Sequence, residues 1–322
     1  QGDEKIRTQG AALSYTHSFS PTLVNEARIG FNREHSVRLH PFGDDTSDIP
    51  AQFGIPGIPQ TKGNGGLPFF AIGGLSQLGA AEWLVSERFS STYQITENLT
   101  KVYSSHTFKG GLEIQRISFP WIAPPWSRGE FDFGGTYTSD PNYLDASTGR
   151  AHFLLLPQPA TVPNGVDNLG GANTVFASNF GALASNKNYY GAYFQDDWKV
   201  TSKLTLNLGL RWDHFGLVGD EYGAQANFIP GAPFSGAQFI MPTRRKSDPL
   251  SQSFIDTLAK DGIELLYTDE YGTGLGITQK LNFTPRFGFA YRLRPKFVVR
   301  GGFGIYYGAF ENRGGYPSLG YN

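Results

Sequence analysis

The histidines come first among the residues whose chemistry could matter, because imidazole can bind metal ions and transfer protons near neutral pH. No two of them have the i, i+4 spacing of a helical metal site, and no His-Glu-x-x-His sequence occurs. The spacing therefore predicts no metal site built from the six histidines, which are His17, His35, His40, His106, His152 and His214.

Three carboxylates lie close together at Asp44, Asp45 and Asp48, beside Thr46 and Ser47. Oxygen ligands of this kind suit Ca²⁺, but the segment lacks both the ligand spacing and the glycine of an EF-hand loop. A solvated turn is the interpretation that this pattern favours.

Motifs for nucleotide binding and for nucleophilic catalysis are also absent from the sequence. In the run 272–276 the third glycine falls one position too early for G-x-G-x-x-G, and no βαβ pattern follows. Asp196 and Asp197 are neighbours in a predicted strand, where adjacent side chains point to opposite faces. We therefore predict no enzyme activity, no cofactor and no resident metal ion.

Composition narrows the class of protein further. The chain has 322 residues with 27 basic and 28 acidic side chains, which gives a net charge of −1. This balance argues against a nucleic-acid partner held by a basic surface.

The lack of cysteine excludes disulfides, thiolate metal sites and cysteine nucleophiles. No apolar run reaches the roughly 18 residues of a membrane helix, and the sequence after Gln1 has no signal-peptide pattern.

Alternation with a period of two is the strongest pattern in the sequence, and it is typical of strands whose two faces meet different surroundings. From Leu204 to His214 the even positions are leucine, tryptophan or histidine, while the odd positions are threonine, asparagine, glycine, arginine and aspartate. Similar splits recur along the chain. The pattern predicts strands at about 12–19, 23–35, 87–102, 106–117, 188–200, 204–215, 281–293 and 297–308.

The connections between these strands are of two kinds. Turns of about three residues close four hairpins, whereas the long segments 36–86, 118–187 and 216–280 join one hairpin to the next. Soluble sandwiches usually have shorter strands and short loops at both ends. Ten tilted strand residues rise roughly 25 Å, which matches the apolar band of an outer-membrane barrel. We therefore predict an all-β, antiparallel transmembrane β-barrel with short periplasmic turns and long extracellular loops.

This architecture assigns each side chain to lipid or to a polar lumen by its parity in the strand. The apolar parity predicts a lipid-facing wall with two aromatic girdles, built from Phe19, Phe31, Trp198, Leu206, Leu208, Trp212, Phe297 and Tyr307. Charged side chains of the other parity could form structural ladders or line a wet conduit, and both interpretations stay open. These lumen candidates are Glu26, Arg28, Arg88, Lys109, Glu113, Arg211, Asp213, Arg286, Arg292 and Arg300.

A short amphipathic helix is predicted within the third long loop. Leu250, Phe254, Ile255 and Leu258 have helical spacing over residues 249–262, and Gly262 ends the segment. A second short helix is predicted around Leu154.

Residues 189–215, YYGAYFQDDWKVTSKLTLNLGLRWDHF, resemble a hairpin that recurs in TonB-dependent outer-membrane receptors. Three further segments, at 12–32, 106–116 and 284–308, are similar to the Oar-like branch of that family. The resemblance covers all four hairpins. It implies a 22-strand barrel in the outer membrane of a Gram-negative bacterium, filled by an N-terminal plug that follows a TonB box.

The chain departs from that family pattern because it has about eight predicted strands and no recognisable plug, signal peptide or TonB box. We therefore expect residues 1–322 to be an interior part of one barrel domain. The resemblance implies the lipid bilayer, the TonB complex acting through the missing plug region, and an unidentified transported substrate as partners. Two alternatives stay open: a structural or adhesive surface barrel without energised transport, and a secreted soluble β-protein.

Overall fold

The structure is a computed structural model that describes residues 3–81, 84–122, 126–140, 148–155, 171–178, 182–231, 236–248 and 250–308. Within these residues the strands are β1 (Asp3–Ser20), β2 (Leu23–Leu39), β3 (Phe69–Ile72), β4 (Ser86–Tyr103), β5 (His106–Ile122), β6 (Glu130–Phe133), β7 (Thr174–Phe176), β8 (Leu183–Lys199), β9 (Leu204–Phe215), β10 (Gly219–Asp220), β11 (Asn227–Ile229), β12 (Gln238–Met241), β13 (Glu264–Tyr267), β14 (Asn282–Arg294) and β15 (Phe297–Gly304). The helices are α1 (Ile49–Gln52), α2 (Gly149–Phe153) and α3 (Gln252–Lys260).

The eight long strands form one sheet in the order β1-β2-β4-β5-β8-β9-β14-β15, and the short strand β10 pairs with β8. Each long strand therefore lies beside the next long strand in the chain, which is a meander built from hairpins. The pairings of β8 with β9, β9 with β14, and β14 with β15 are antiparallel. β1 and β15 are therefore the two edge strands of this strand order.

Register across the sheet keeps apolar side chains on one face. Leu208 stands opposite Phe287 and Leu210 stands opposite Phe194, while Asp196, which also stands opposite Leu208, is a charged exception on this side. We call this side the apolar face, and the side that carries Arg211 the polar face. Because the side-chain period of a strand is two, one shared register places whole stripes of each strand on the same side.

Several strand limits differ from those predicted by alternation. β1 begins at Asp3 instead of 12, β2 continues to Leu39 instead of 35, and β5 continues to Ile122 instead of 117. β4 and β14 differ by one residue at each end, and β8 is Leu183–Lys199 instead of 188–200. The physical reason is that ladder hydrogen bonds join backbone groups, so pairing continues where side-chain alternation has faded.

β15 is the one strand that is markedly shorter than predicted, because it ends at Gly304 and not at 308. The backbone N–H of Ile305 donates to Pro285 O at 3.1 Å. Pro285 has no N–H to return, so the exchange of two bonds that would extend the ladder cannot form there.

Two compact units make up the chain, the first from Gln1–Arg7, His35–Arg88 and Trp121–Ala182, the second from Thr8–Glu34, Phe89–Pro120 and Leu183–Asn322. The first unit contains the small sheet β3-β6-β7, in which β3 and β6 are parallel. Its buried apolar side chains include Ile72, Leu84, Val85, Trp121 and Phe133. The predicted loops 36–86 and 118–187 therefore contain regular structure.

The second unit contains, besides most of the main sheet, the small sheet β11-β12-β13 and helix α3. The Ser251 side chain caps α3 by accepting from Phe254 N at 3.3 Å, and Gly262 follows the helix with φ +69°. Phe254 packs edge-on against Phe239, and Leu258 is buried. The helix predicted over 249–262 is present over a shorter span, and residue 249 lies outside the described residues. In the first unit, α2 ends immediately before Leu154. No helix among the described residues is long and apolar enough to span a membrane.

Candidate polar face site

The main sheet exposes large apolar side chains on one face and buries several polar side chains on the other, a pattern opposite to that of a water-soluble sandwich. On the apolar face Leu208, Leu210 and Phe287 are 39%, 49% and 47% exposed. On the polar face Asp213 and Thr284 are only 5% and 1% exposed. Buried polar groups need partners to offset their lost hydration, so the polar face is where specific chemistry is concentrated.

A cluster centred on Arg211 joins four strands of the polar face. Its Nη2 lies 3.0 Å from Glu113 Oε2, and its Nε lies 2.8 Å from Asp213 Oδ1. Nη2 also donates to the hydroxyl of Tyr189, which in turn donates to Asp213. Gln94 donates to Glu113 at 2.8 Å. We call Gln94, Glu113, Tyr189, Arg211 and Asp213 the Arg211 cluster.

A glycine makes room for this arrangement. Gly191 stands opposite Asp213 in the β8–β9 ladder. A Cβ at Gly191 would lie 2.7 Å from Arg211 Nη2 and 2.7 Å from the Tyr189 hydroxyl. The guanidinium therefore occupies space that a side chain would fill at any other residue type. With a side-chain exposure of 22%, Arg211 is shielded but still wetted.

A second set of polar contacts lies closer to the hairpin turns. Lys109 Nζ is 2.9 Å from Asp197 Oδ2, and Asn207 donates to the other oxygen of the same carboxylate at 2.6 Å. The neighbouring Asp196 instead pairs with His106, at 2.7 Å between Oδ2 and Nδ1. The two carboxylates thus have different partners, as expected where adjacent strand residues point to opposite faces.

The other predicted lumen residues are not brought into these clusters. Arg28 forms an ion pair with Glu26, two residues away on β2. The guanidinium of Arg286 lies 4.9 Å from the centre of the Tyr306 ring. Arg292 and Arg300 stand on β14 and β15 with exposed side chains, and Arg88 is exposed on β4.

Predicted lipid-facing residues occupy the apolar face or its edges. Phe31 contacts Tyr93 at 5.1 Å between ring centres, and Trp198 stacks on His106 at 5.2 Å. Trp212 stacks on His214 at 6.1 Å, and its indole N–H donates to Lys280 O at 2.8 Å. Leu206 stands opposite Trp198 and Phe289. The most exposed members are Phe19 and Phe297, while Tyr307 lies beyond the end of β15.

A buried cation lies in the first unit, outside the strand pattern. Arg128 is 2% exposed. Its guanidinium donates to Ala81 O at 3.0 Å, to Leu84 O and to Asn64 Oδ1, and its Nε has no partner among the described residues. Burial lowers the pKa of Arg128 to about 10. Burial, together with the charge of Arg128, also lowers the pKa of His40.

The acidic residues singled out in the sequence stabilise local backbone turns. The Asp48 side chain accepts from Ala51 N at 3.3 Å and caps α1. Asp45 accepts from Ser47 N at 2.9 Å, and hydrogen bonds from Ser47 lower the pKa of Asp45. Across the part of the chain that the structure describes, no three His, Asp or Glu residues are grouped to hold a metal ion.

Sequence reasoning found three members of the Arg211 cluster but missed Tyr189 and Gln94. Both have the polar parity of their strands, so parity could have found them, but parity does not reveal which residues meet across hairpins. The cluster offers both donors and acceptors on a wetted wall. It can hold polar groups in place or hydrogen-bond a solute. Within the cluster, no nucleophile is paired with a general base.

Comparison with known proteins places these features in context. The model for the outer membrane beta barrel domain matches residues 1–322. Among solved structures, copper transporter OprC aligns over 93% of this chain and 30% of its own, at 12% identity and a TM-score of 0.42. The ferric-catecholate import receptor Fiu from E. coli K12 aligns over 94% and 35%, at 11% identity and a TM-score of 0.41. FpvA of P. aeruginosa, solved with heterologous pyoverdines, aligns over 93% and 35%, at 8% identity and a TM-score of 0.24.

The chain thus spans about a third of the length of each of these structures. The comparison with curated proteins gives no significant match.

Proposed function

Since the chain belongs to the outer membrane beta barrel domain family, we propose that it forms part of the wall of a TonB-dependent transporter that takes up a solute across the outer membrane. The family places the chain in the outer membrane of a Gram-negative bacterium. In the proposal, the apolar face contacts lipid, the polar face lines the lumen, the short turns face the periplasm and the long loops face outside.

The observation that carries this proposal is the inverted burial of the main sheet. Exposed leucine and phenylalanine side chains lie on one face, while a connected set of ionised and hydrogen-bonding groups lies on the other. Acyl chains are the medium that suits the first face, and a hydrated interior is the medium that suits the second. A wall of this kind separates lipid from a polar conduit.

The open path of the sheet supports a larger barrel. β1 and β15 are the ends of the strand order. An unpaired strand edge would leave backbone N–H and C=O groups without partners in hydrocarbon. We therefore propose that both edges pair with strands outside this chain, in a barrel of about 22 strands as the resemblance implies.

The resemblance of residues 189–215 to TonB-dependent receptors supports energised transport, and the other three hairpins support the Oar-like branch. Coupling to the TonB complex would act through a plug region that belongs to the full protein. The long loops, which carry small folded sheets, keep an adhesive or structural surface barrel as the second candidate.

Solute depletion by living cells tests the proposal without a known substrate. Cells with and without the full-length gene, each with and without TonB, are grown in a defined mixture of solutes whose depletion is followed by mass spectrometry. Transport predicts at least one solute that is depleted only when both genes are present. No such solute, together with no cross-link between the full-length protein and the periplasmic domain of TonB, would overturn the proposal. TonB-independent adhesion of the same cells to matrix proteins would then favour the second candidate.

A further inference from the structure

A groove of about 570 Å³ indents the apolar face of the main sheet. It crosses β4, β5, β8, β9 and the start of β14, and its floor lies where Gly110 and Ala192 carry no side chain larger than a methyl group. Larger apolar side chains, including Leu99, Phe194 and Leu210, form its walls. These residues share the parity of the apolar face, so the groove opens on the side that we assign to lipid.

A single cation stands at one end of this groove. Lys101 lines the groove and lies two positions before the end of β4 at Tyr103, next to a hairpin turn. Its Nζ donates to Thr22 Oγ1 at 3.0 Å, and no carboxylate of the described residues lies within ion-pair distance. With the turns at the periplasmic surface, this ammonium lies at the boundary between hydrocarbon and water.

A carboxyl group stands further along the same strand. Glu97 also lines the groove and accepts a hydrogen bond from Asn25 Nδ2. Four strand residues span about 13 Å, so the positive and the acidic side chain mark different depths of the groove. An anionic ligand is therefore favoured only at the Lys101 end, with its apolar part directed along the strands.

We propose that this groove binds one membrane glycerophospholipid, with the phosphate held by Lys101 and an acyl chain lying over Gly110. The inference rests on the proposed orientation of the apolar face toward lipid. Two observations select this occupant: the walls of the groove are mostly apolar, and Lys101, next to a hairpin turn, is the one cation among the described residues that line it. In the proposed orientation that turn lies at the level of lipid headgroups, and hydrocarbon meets the rest of the groove. Phosphate is the anionic group that membrane lipids present at that level.

Two substitutions separate the headgroup contact from the acyl contact. Lys101→Gln removes the charge. Gly110→Leu fills the floor, and it has room to do so because a Cβ at Gly110 would have its nearest neighbour, Tyr193 O, at 3.5 Å. Matched controls are Lys203→Gln, which removes a cation in a neighbouring turn, and Val299→Leu, which enlarges a side chain of the apolar face outside the groove.

The experiment measures binding of palmitoyl-oleoyl phosphatidylglycerol to the purified full-length protein in detergent by native mass spectrometry. Heat-modifiable migration on a gel verifies that each variant is folded. We expect one retained lipid and an increase in Kd of about tenfold or more for Lys101→Gln and for Gly110→Leu, with both controls unchanged.

Four results would overturn the inference. They are unchanged binding in both groove variants, loss in Lys101→Gln alone, loss in the controls as well, and competition by inorganic phosphate at millimolar concentration. The third result indicates nonspecific binding, and the fourth indicates an anion site without an acyl site. If lipid binding fails while TonB-dependent depletion persists, this inference alone is wrong. If lipid binding persists while neither TonB-dependent depletion nor the cross-link to TonB is seen, the transport proposal alone is wrong.

Discussion

The ring of Tyr193 lies over Gly111 on the polar face of the sheet. A Cβ at Gly111 would stand 2.5 Å from Tyr193 Cε1, which is closer than real Cβ atoms approach another atom. The hydroxyl of Tyr193 donates to Asn98 Oδ1 at 2.8 Å. The tyrosine therefore crosses from β8 over β5 to β4, and a strand glycine that would weaken the sheet is covered by a neighbouring aromatic ring.

This contact predicts a position-specific cost of adding one methyl group. Gly111→Ala would place Cβ 2.6 Å from Glu97 O, a backbone atom, as well as against the Tyr193 ring. Either the strand or the ring must shift, which should destabilise the barrel by about 1–3 kcal/mol. Urea unfolding of the full-length protein in lipid vesicles measures the change.

The adjacent residue provides the control, because Gly110 faces the other side of the same strand. A Cβ added at Gly110 would have its nearest neighbour, Tyr193 O, at 3.5 Å, which is an ordinary van der Waals distance. Gly110→Ala should therefore cost well under 1 kcal/mol. Equal losses in the two variants would show that strand propensity, and not the contact with Tyr193, sets the cost.

Removing the guanidinium of Arg211 should destabilise the polar face. Arg211→Met leaves the carboxylates of Glu113 and Asp213 without their shared cation, and the Asp213 side chain is only 8% exposed. Because the pair is partly wetted, we expect a loss of roughly 1–3 kcal/mol, below the cost of breaking a fully buried pair. The same unfolding titration measures it.

The comparison for this prediction is Arg300→Met, since Arg300 is exposed and no described carboxylate lies within ion-pair distance of it. Its replacement should change stability by no more than about 0.5 kcal/mol. If the two replacements lower the free energy of unfolding equally, the loss arises from general solvation of the polar face and not from the Arg211 cluster.

Alternation predicted the strands best where the two faces differ along the whole length of the strand. β9, at Leu204–Phe215, has the limits that the pattern predicts. β1 begins much earlier than its pattern, because residues 3–11 pair by backbone bonds without apolar alternation. β3 and β6 could not be predicted, since each has four residues and their parallel pairing depends on chain segments distant in sequence.

For the candidate site as well, alternation predicted which face a residue occupies but not which residues meet across strands. Arg211 and Asp213 lie two residues apart on one strand, so alternation alone places them on one face. Their contacts with Glu113 and Tyr189 depend on which rows of β5, β8 and β9 are aligned. The register across a long connection between hairpins is set by packing and hydrogen bonding of the whole sheet, which local sequence does not encode.

A paired substitution tests the assignment of the faces. Leu208→Arg places a charge on the apolar face and should cost about 2–4 kcal/mol near the bilayer midplane. Asn207→Arg, one residue away on the polar face beside Asp197, should be tolerated far better. Folding of the full-length protein into vesicles, followed by fluorescence, compares the two. Similar free energies for both variants would refute the orientation of the sheet and with it the lipid-facing groove.

Acidification should weaken the first unit. His40 Nδ1 accepts a hydrogen bond from Phe42 N at 3.2 Å, so the folded unit requires this nitrogen unprotonated. Burial and the charge of Arg128 both lower the pKa of His40 below its usual value of about 6.5. The unfolded chain therefore binds the proton more readily than the folded chain does. The contribution of His40 to stability is complete above about pH 6.5 and is lost as the pH falls toward the lowered pKa, with a slope of at most about 1.4 kcal/mol per pH unit.

Hydrogen exchange of residues 40–66 in the full-length protein at pH 7.5 and pH 5.0, corrected for the intrinsic pH dependence of exchange, measures this loss. His40→Asn removes the titrating group but keeps an acceptor near Nδ1, so it should flatten the acid dependence while leaving protection at pH 7.5 nearly unchanged. His214→Asn, in the second unit, serves as the control and should leave the acid dependence of the first unit intact. A full acid response in His40→Asn would assign the effect to another group.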